Sequence, residues 1–153
     1  RVYVDQVLSH QEIRMSVALG SSHPLHAGSS SKAILAALPD SEVEDYIAHH
    51  ELDSVTDATI TSAETLREEI SVIRAAGYAV SVGERQVEAA SVAAALHGPI
   101  GQVVGSVSVC GTKSMFGVTS SGRLGEWVAA AAAAISYDPG AGRGTTEQRK
   151  DTS

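Results

Sequence analysis

The segment Pro24-Leu25-His26-Ala27-Gly28-Ser29-Ser30-Ser31-Lys32-Ala33-Ile34-Leu35 runs a turn of small residues straight into an apolar helix. Gly28 can take a backbone shape that other residues avoid. The three serines place hydroxyls and backbone N–H groups at the helix start. There the first N–H groups have no intrahelical partner and the dipole is positive, so the start attracts anions. The same residues also make an ordinary helix cap, since Ser is a preferred capping residue. A Walker A phosphate loop is excluded, because it needs Gly directly before Lys and Ser31 stands there.

A second pattern lies in Val104-Gly105-Ser106-Val107-Ser108-Val109-Cys110. With a strand's two-residue period, Val103, Val107 and Val109 share one side, and Ser106, Ser108 and Cys110 the other. The apolar side is expected to pack on helices. The side of small, weakly polar groups either meets solvent or floors a cavity.

Other reactive residue types group less well. The chain has six histidines. His49 and His50 are adjacent and diverge by about 100° on a helix. His23 and His26 flank Pro24-Leu25, and no HExxH or Cys/His ligand spacing occurs, so no metal site is expected. A Ser–His–Asp triad is not excluded by composition, because its members can be distant in sequence, but no GxSxG elbow is present. The lone cysteine, Cys110, rules out an intrachain disulfide; in the interior of a sheet its thiol is expected to be inert. Glu84, Arg85 and Glu88 read as a solvated charged loop after a strand.

The elements that must position these groups fit one domain. The chain has 153 residues, enough for a proper core. A net charge of −7 with no basic cluster makes it a poor candidate for gripping nucleic acid by itself. The longest apolar run, Trp127 to Ile135, is too short to cross a bilayer. A reducing cytoplasm suits the single cysteine. The start at Arg1, directly in a strand-like pattern, predicts that a further segment precedes it.

Val2–Leu8 and Ile13–Leu19 read as strands, with Ile13, Met15 and Val17 on one face. A helix follows the serines to about Leu38 and is broken by Pro39-Asp40-Ser41. Capping boxes Ser41/Glu44 and Thr61/Glu64 open two further helices. The first runs through His50. The second carries Leu66, Ile70 and Ile73 on one stripe and stops at Gly77. Tyr78–Val82 reads as a strand, Ala89–Leu96 and Gln102–Cys110 as a hairpin, and Leu124–Tyr137 as the last helix. The polar, Gly-rich residues 138–153 are expected to form a flexible tail. Strands, helices, strands and a helix, in that order, predict an α+β fold with a central antiparallel sheet and helices packed on it.

Leu25-His26-Ala27 with its small-residue turn and Lys32-Ala33, the Arg-x-x-Gly-Tyr segment Arg74–Tyr78, and the serine-faced strand ending at Gly111 together resemble the effector-binding domain of IclR-type bacterial transcription regulators. The resemblance covers residues 1–137. It implies a GAF-like domain that follows an N-terminal winged helix-turn-helix; no such DNA-binding part is expected in this chain. It also implies a pocket for a small organic acid or aromatic metabolite between the sheet and the small-residue turn. By position, Ser29 and Ser30 would hold the acid, Met15 would form a wall, and Ser81, Ser91, Ser108 and Cys110 would line the rest. No cofactor or metal is implied.

Three departures from the family's pattern stand out. Serines 29–31 replace a turn usually richer in Gly and Ala. Ser81 stands where an acidic residue is frequent. Ser91 stands where cysteine is common, and Glu88-Ala89-Ala90 replaces the usual Gly-x-Arg ahead of it.

The expectation is therefore a cytoplasmic sensor domain and not an enzyme. Its effector, likewise expected to be a carboxylate, would alter operator binding by the preceding domain, in a homodimer or homotetramer and with no membrane contact. The alternatives are a serine-based hydrolase of small molecules and a dimerisation module without ligand.

Overall fold

The computed structural model describes residues 1–10, 15–116 and 118–136. Its elements are α1 (Ser29–Ala37), α2 (Asp40–His49), α3 (Ala63–Ala76), β1 (Ala79–Val82), β2 (Ala89–His97), β3 (Val103–Thr112) and α4 (Val118–Ile135). The three strands form one antiparallel sheet in the order β1-β2-β3. This is the predicted α+β class with helices on an antiparallel sheet.

The register decides what each face carries. Ser81 opposes Ser91, and Ser91 opposes Cys110, so these three residues form a row across the sheet. The next row is Ala79, Ala93 and Ser108, and beyond it Ala95 opposes Ser106. The intervening residues point the other way, as strand geometry requires.

Each face has its own core. On the serine and alanine face, Ala79 and Ala93 pack with Ala33, Leu35 and Ala36 of α1 and with Leu66, Ile70 and Ile73 of α3. Val43 and Tyr46 of α2 close this cluster from outside. On the opposite face, Val92 and Ala94 pack against Val128 and Ala132 of α4, with Val80, Leu96 and Val107 around them. The apolar stripe of α3 is the predicted one. Its end at Gly77, with φ 79°, is the left-handed cap that glycine tolerates.

Several boundaries differ from expectation. Val2–Leu8 and the described part of 13–19 are not strands. They pair through a bridge between Val2 and Ser22, a few backbone bonds around Tyr3 and Gly20, and Gln6, whose side-chain amide bonds both the N–H and the carbonyl of Val17. Val4 and Val7 are 86% and 98% exposed, so the alternation has no core to bury and buys no ladder. Neither capping box forms. α2 has Pro39 at its N-cap, and α3 is capped by Ser62, whose hydroxyl accepts from the Thr65 N–H. α4 starts at Val118 and not Leu124; Ser and Gly in its first turns weaken the helical pattern. Ile13, Tyr137 and residues 138–153 lie outside the described residues.

Gly125 is where α4 presses on Tyr78: a Cβ there would collide with the Tyr78 ring. A Cβ at Gly122 would meet nothing. Gly→Ala inside a helix gains about 1 kcal/mol in propensity, whereas overpacking costs about 1–3 kcal/mol. Urea denaturation should therefore show Gly122→Ala as stabilising and Gly125→Ala as destabilising, the two differing by about 1 kcal/mol or more.

Candidate functional site

The small-residue turn is held in place by buried polar residues. Tyr46 Oη accepts from the Leu25 N–H at 2.9 Å and stands 3.1 Å from His26 Nδ1. The phenol is therefore the donor to Nδ1, and His26 Nε2–H donates to the Asp53 carbonyl at 3.0 Å. Burial pushes the Tyr46 phenol above its ordinary value, which keeps it protonated as that donor. His26 is 1% exposed and fully occupied as a strut for the turn.

Gly28 follows at φ 89°, a region that favours glycine, and its N–H donates to Glu84 Oε2 at 2.8 Å. The other oxygen, Oε1, accepts from Lys32 Nζ at 2.6 Å, and Lys32 also reaches Glu69 of α3 at 2.6 Å. The Lys32 and Glu84 side chains are 2% and 8% exposed. Glu84 is thus not the solvated loop residue its neighbours suggest. A carboxylate at the N-terminus of α1 also complements the helix dipole. The loop carrying it is anchored in turn by Thr59 Oγ1, which donates to the Glu84 carbonyl, and Thr56 Oγ1, which donates to that of Gly83.

The serines then point in different directions. Ser29 faces the sheet, and its hydroxyl donates to Ser91 Oγ at 2.7 Å. Ser30 is buried, and its carbonyl accepts from Ser106 Oγ at 3.1 Å. Ser31, about 200° around the helix from Ser29, turns away from the sheet and accepts from Arg1 Nε. The backbone N–H groups of the first turn have no carbonyl before them to bond.

The register and these contacts bring Ser29, Ser81, Ser91 and Cys110 together, with Ser30 and Ser108 beside them. Ser81 is buried and Ser91 half-buried, while Ser108 and Cys110 on the edge strand β3 are exposed. Cys110 is thus not in a sheet interior, as the sequence suggests; partial desolvation still raises its thiol above the ordinary value. Met15 is half-buried in the N-terminal segment and belongs to neither core cluster.

A cavity of about 320 Å³ lies elsewhere, among Ala33, Ala36, Ala94, Ala129, Arg74 and His97, and a groove of about 580 Å³ runs along Arg1, His23, Leu25, Tyr46 and His50. Neither is lined by any of the seven predicted ligand residues.

Sequence reasoning missed the buried Lys32–Glu84–Glu69 group. The available signal was a lone lysine, the one charged residue of α1, one turn before Leu35.

The family model described as "Bacterial transcriptional regulator IclR C-terminal" matches residues 1–137. The chain belongs to this IclR C-terminal family. It is similar to the HTH-type transcriptional regulator KipR of Bacillus subtilis, 35% identical over 75% of this chain and 46% of that protein. It is also similar to the HTH-type transcriptional repressor AllR of Klebsiella pneumoniae, 33% identical over 74% of this chain and 42% of that protein. The chain thus spans less than half the length of these curated relatives. The crystal structure of Thermotoga maritima IclR superposes with a TM-score of 0.83 at 31% identity, covering 88% of this chain and 54% of that one. The IclR family and these relatives are transcriptional regulators and not enzymes, which sets aside the hydrolase reading.

Lys32→Met should strand a buried carboxylate, and Glu84→Gln a buried ammonium held only by Glu69. Breaking one side of such a pair costs about 3–5 kcal/mol. In chemical denaturation each single variant should lose about that much, and the double variant should recover a large part of it. Single-variant losses under about 1 kcal/mol would mean that the pair does not secure the turn.

Proposed function

We propose that this IclR-type domain senses a small carboxylate at the start of α1. The acid would lie against the first-turn N–H groups of Ser29 and Ser30, which supply a positive field of their own, the buried Lys32 being paired with Glu84 and Glu69. Ser81, Ser91, Ser108 and Cys110 would contact the rest of the ligand, and Met15 would be an adaptable apolar wall. The observation that carries this reading is the serine row under the helix start, tied to it by the Ser29–Ser91 hydrogen bond.

In the cytoplasm, binding would shift a homodimer or homotetramer between two arrangements and change operator affinity through a winged helix-turn-helix preceding this domain. Such coupling is worth about 1–3 kcal/mol, set by the effector's different affinities for the two states. Among the described residues no helix is long and apolar enough to cross a membrane. The cavities away from the serine row favour one other reading, a dimerisation module that binds nothing there. Native mass spectrometry separates the two: a small acid carried with the purified domain supports sensing.

Light scattering at tens of micromolar should give at least a dimer mass. A monomer mass alone would count against assembly through this domain.

Ser30→Asp gives the sharper test. A fixed negative charge about 4 Å from a bound carboxylate repels it by roughly 4 kcal/mol at an effective dielectric of 20, equivalent to about a thousandfold weaker binding. At a plain helix cap the same change is mild, because Asp is favourable in the first turn. Calorimetry should show lost effector binding in a protein that still melts cooperatively, at a somewhat lower temperature because Ser30 is buried. Unchanged affinity would place the carboxylate elsewhere.

A further inference from the structure

On the side of the α1 start that faces away from the sheet, two arginines share one tyrosine. The Arg1 guanidinium lies 4.3 Å from the centre of the Tyr3 ring and that of Arg85 5.7 Å from it. Arg85 Nη1 donates to Tyr3 Oη at 2.8 Å, and Nη2 donates to His23 Nδ1 at 2.8 Å. Arg1 Nε donates to Ser31 Oγ. A Cβ on Gly28 would stand 2.9 Å from Arg85 Cδ and 3.6 Å from Arg1 Nη2, so the missing side chain at Gly28 lets both arginines close on the helix start.

The charges here are unbalanced. Lys32, Arg67 and Arg74 each have a carboxylate oxygen within 2.6 Å. Among the described residues Arg1 and Arg85 have none within ion-pair distance, although the chain as a whole carries −7. Glu84, next to Arg85 in sequence, is already taken by Lys32 and the Gly28 N–H, and Glu51 and Asp53, which line the groove beside Arg1, are not within ion-pair distance of either arginine. Burial and the two arginines hold His23 below its ordinary value, so its ring is a neutral acceptor for Arg85 and neutralises nothing. Both arginines are half-buried residues. Glu84 already answers the α1 dipole and Lys32, which leaves the two arginine charges uncompensated beside it.

We propose that Arg1 and Arg85, with the outer side of the α1 start, form a binding site for a phosphate-class dianion, distinct from the sheet-facing serine row. A tetrahedral dianion matches both charges and offers oxygens to two planar donor groups at once. Inorganic phosphate and the phosphoryl group of a metabolite share this chemistry.

The test uses the 153-residue chain, inorganic phosphate, glycerol phosphate and chloride at matched ionic strength. Either phosphate should raise the melting temperature where chloride does not. Titration calorimetry should show saturable binding, and the tighter of the two ligands identifies the source. Arg85→Gln should weaken binding about tenfold or more, as loss of a charged hydrogen-bond donor does. Arg1→Gln should act alike and carries the comparison if Arg85→Gln fails to fold. Arg67→Gln, which removes an exposed arginine of α3 already paired with Glu44, should leave phosphate affinity unchanged. Phosphates no better than chloride, undiminished binding in the Arg1 and Arg85 variants, or an equal loss of binding in Arg67→Gln would each overturn the proposal.

Discussion

Everything at the start of α1 depends on one buried carboxylate. Glu84 grips the helix at two points, the Gly28 N–H and Lys32 Nζ, from a loop that follows β1. The first contact fixes the N-cap, and the second fixes the turn after it. Glu69 adds α3 to the same ammonium. Three segments far apart in sequence therefore meet at one lysine. Charges so deeply buried gain little net stability compared with a well-packed apolar group. Their contribution is placement, because a hydrogen-bonded ion pair tolerates far less displacement than an alanine contact.

That placement matters because the helix sits on small residues. Ala33 and Ala36 of α1 face Ala79 and Ala93 of the sheet. Alanine packing brings backbones close but carries few side-chain locks, so it leaves sliding along the sheet poorly resisted. The polar contacts resist it: Ser29 to Ser91, Ser106 to the Ser30 carbonyl, and Glu84 to Gly28. The opposite face relies on shape instead. There Tyr78 fills the gap left by Gly125, and Val92 and Val107 meet Val128 and Ala132.

What could be read in the residues was what depends on local period. The stripe Leu66-Ile70-Ile73, the stop at Gly77 and the hairpin from Ala89 to Cys110 follow from periods of 3.6 and 2. The grouping of Ser106, Ser108 and Cys110 on one face was legible for the same reason. Burial was not legible, because it is set by partners distant in sequence. Glu84 resembles Glu88 as a letter, yet one is 7% exposed and the other is open to solvent. Cys110 reads as interior from its neighbours, but β3 is the sheet's edge. Val2–Leu8 alternates like a strand with nothing to lie on, and remains a loosely bridged extended segment. The resemblance to the IclR family located the serine row, since Ser81, Ser91 and Ser29 are brought together only by tertiary pairing.

The serine-rich turn has a consequence for selectivity. A hydroxyl both donates and accepts, so three serines at a helix start look like three ligand groups. The structure commits two of them elsewhere: Ser29 Oγ to Ser91 and Ser31 Oγ to Arg1. Ser30 contributes its carbonyl to Ser106. The groups left facing outward from the first turn are backbone N–H groups, which have no intrahelical acceptor whatever the side chain. If the proposed carboxylate binds at this turn, its charge would be met by the backbone, and the hydroxyls would set the position and polarity of the site. On that proposal, discrimination among anions would come from the sheet, where Ser81 is buried, Ser91 is half-buried and bonded to Ser29, and Ser108 and Cys110 lie open at the edge. Serine at 81 and 91, where the resemblance implies an acidic residue and cysteine, would change that proposed floor without touching the end of the helix. Such a site would keep one mode of charge recognition while the chemistry beneath it is altered a residue at a time.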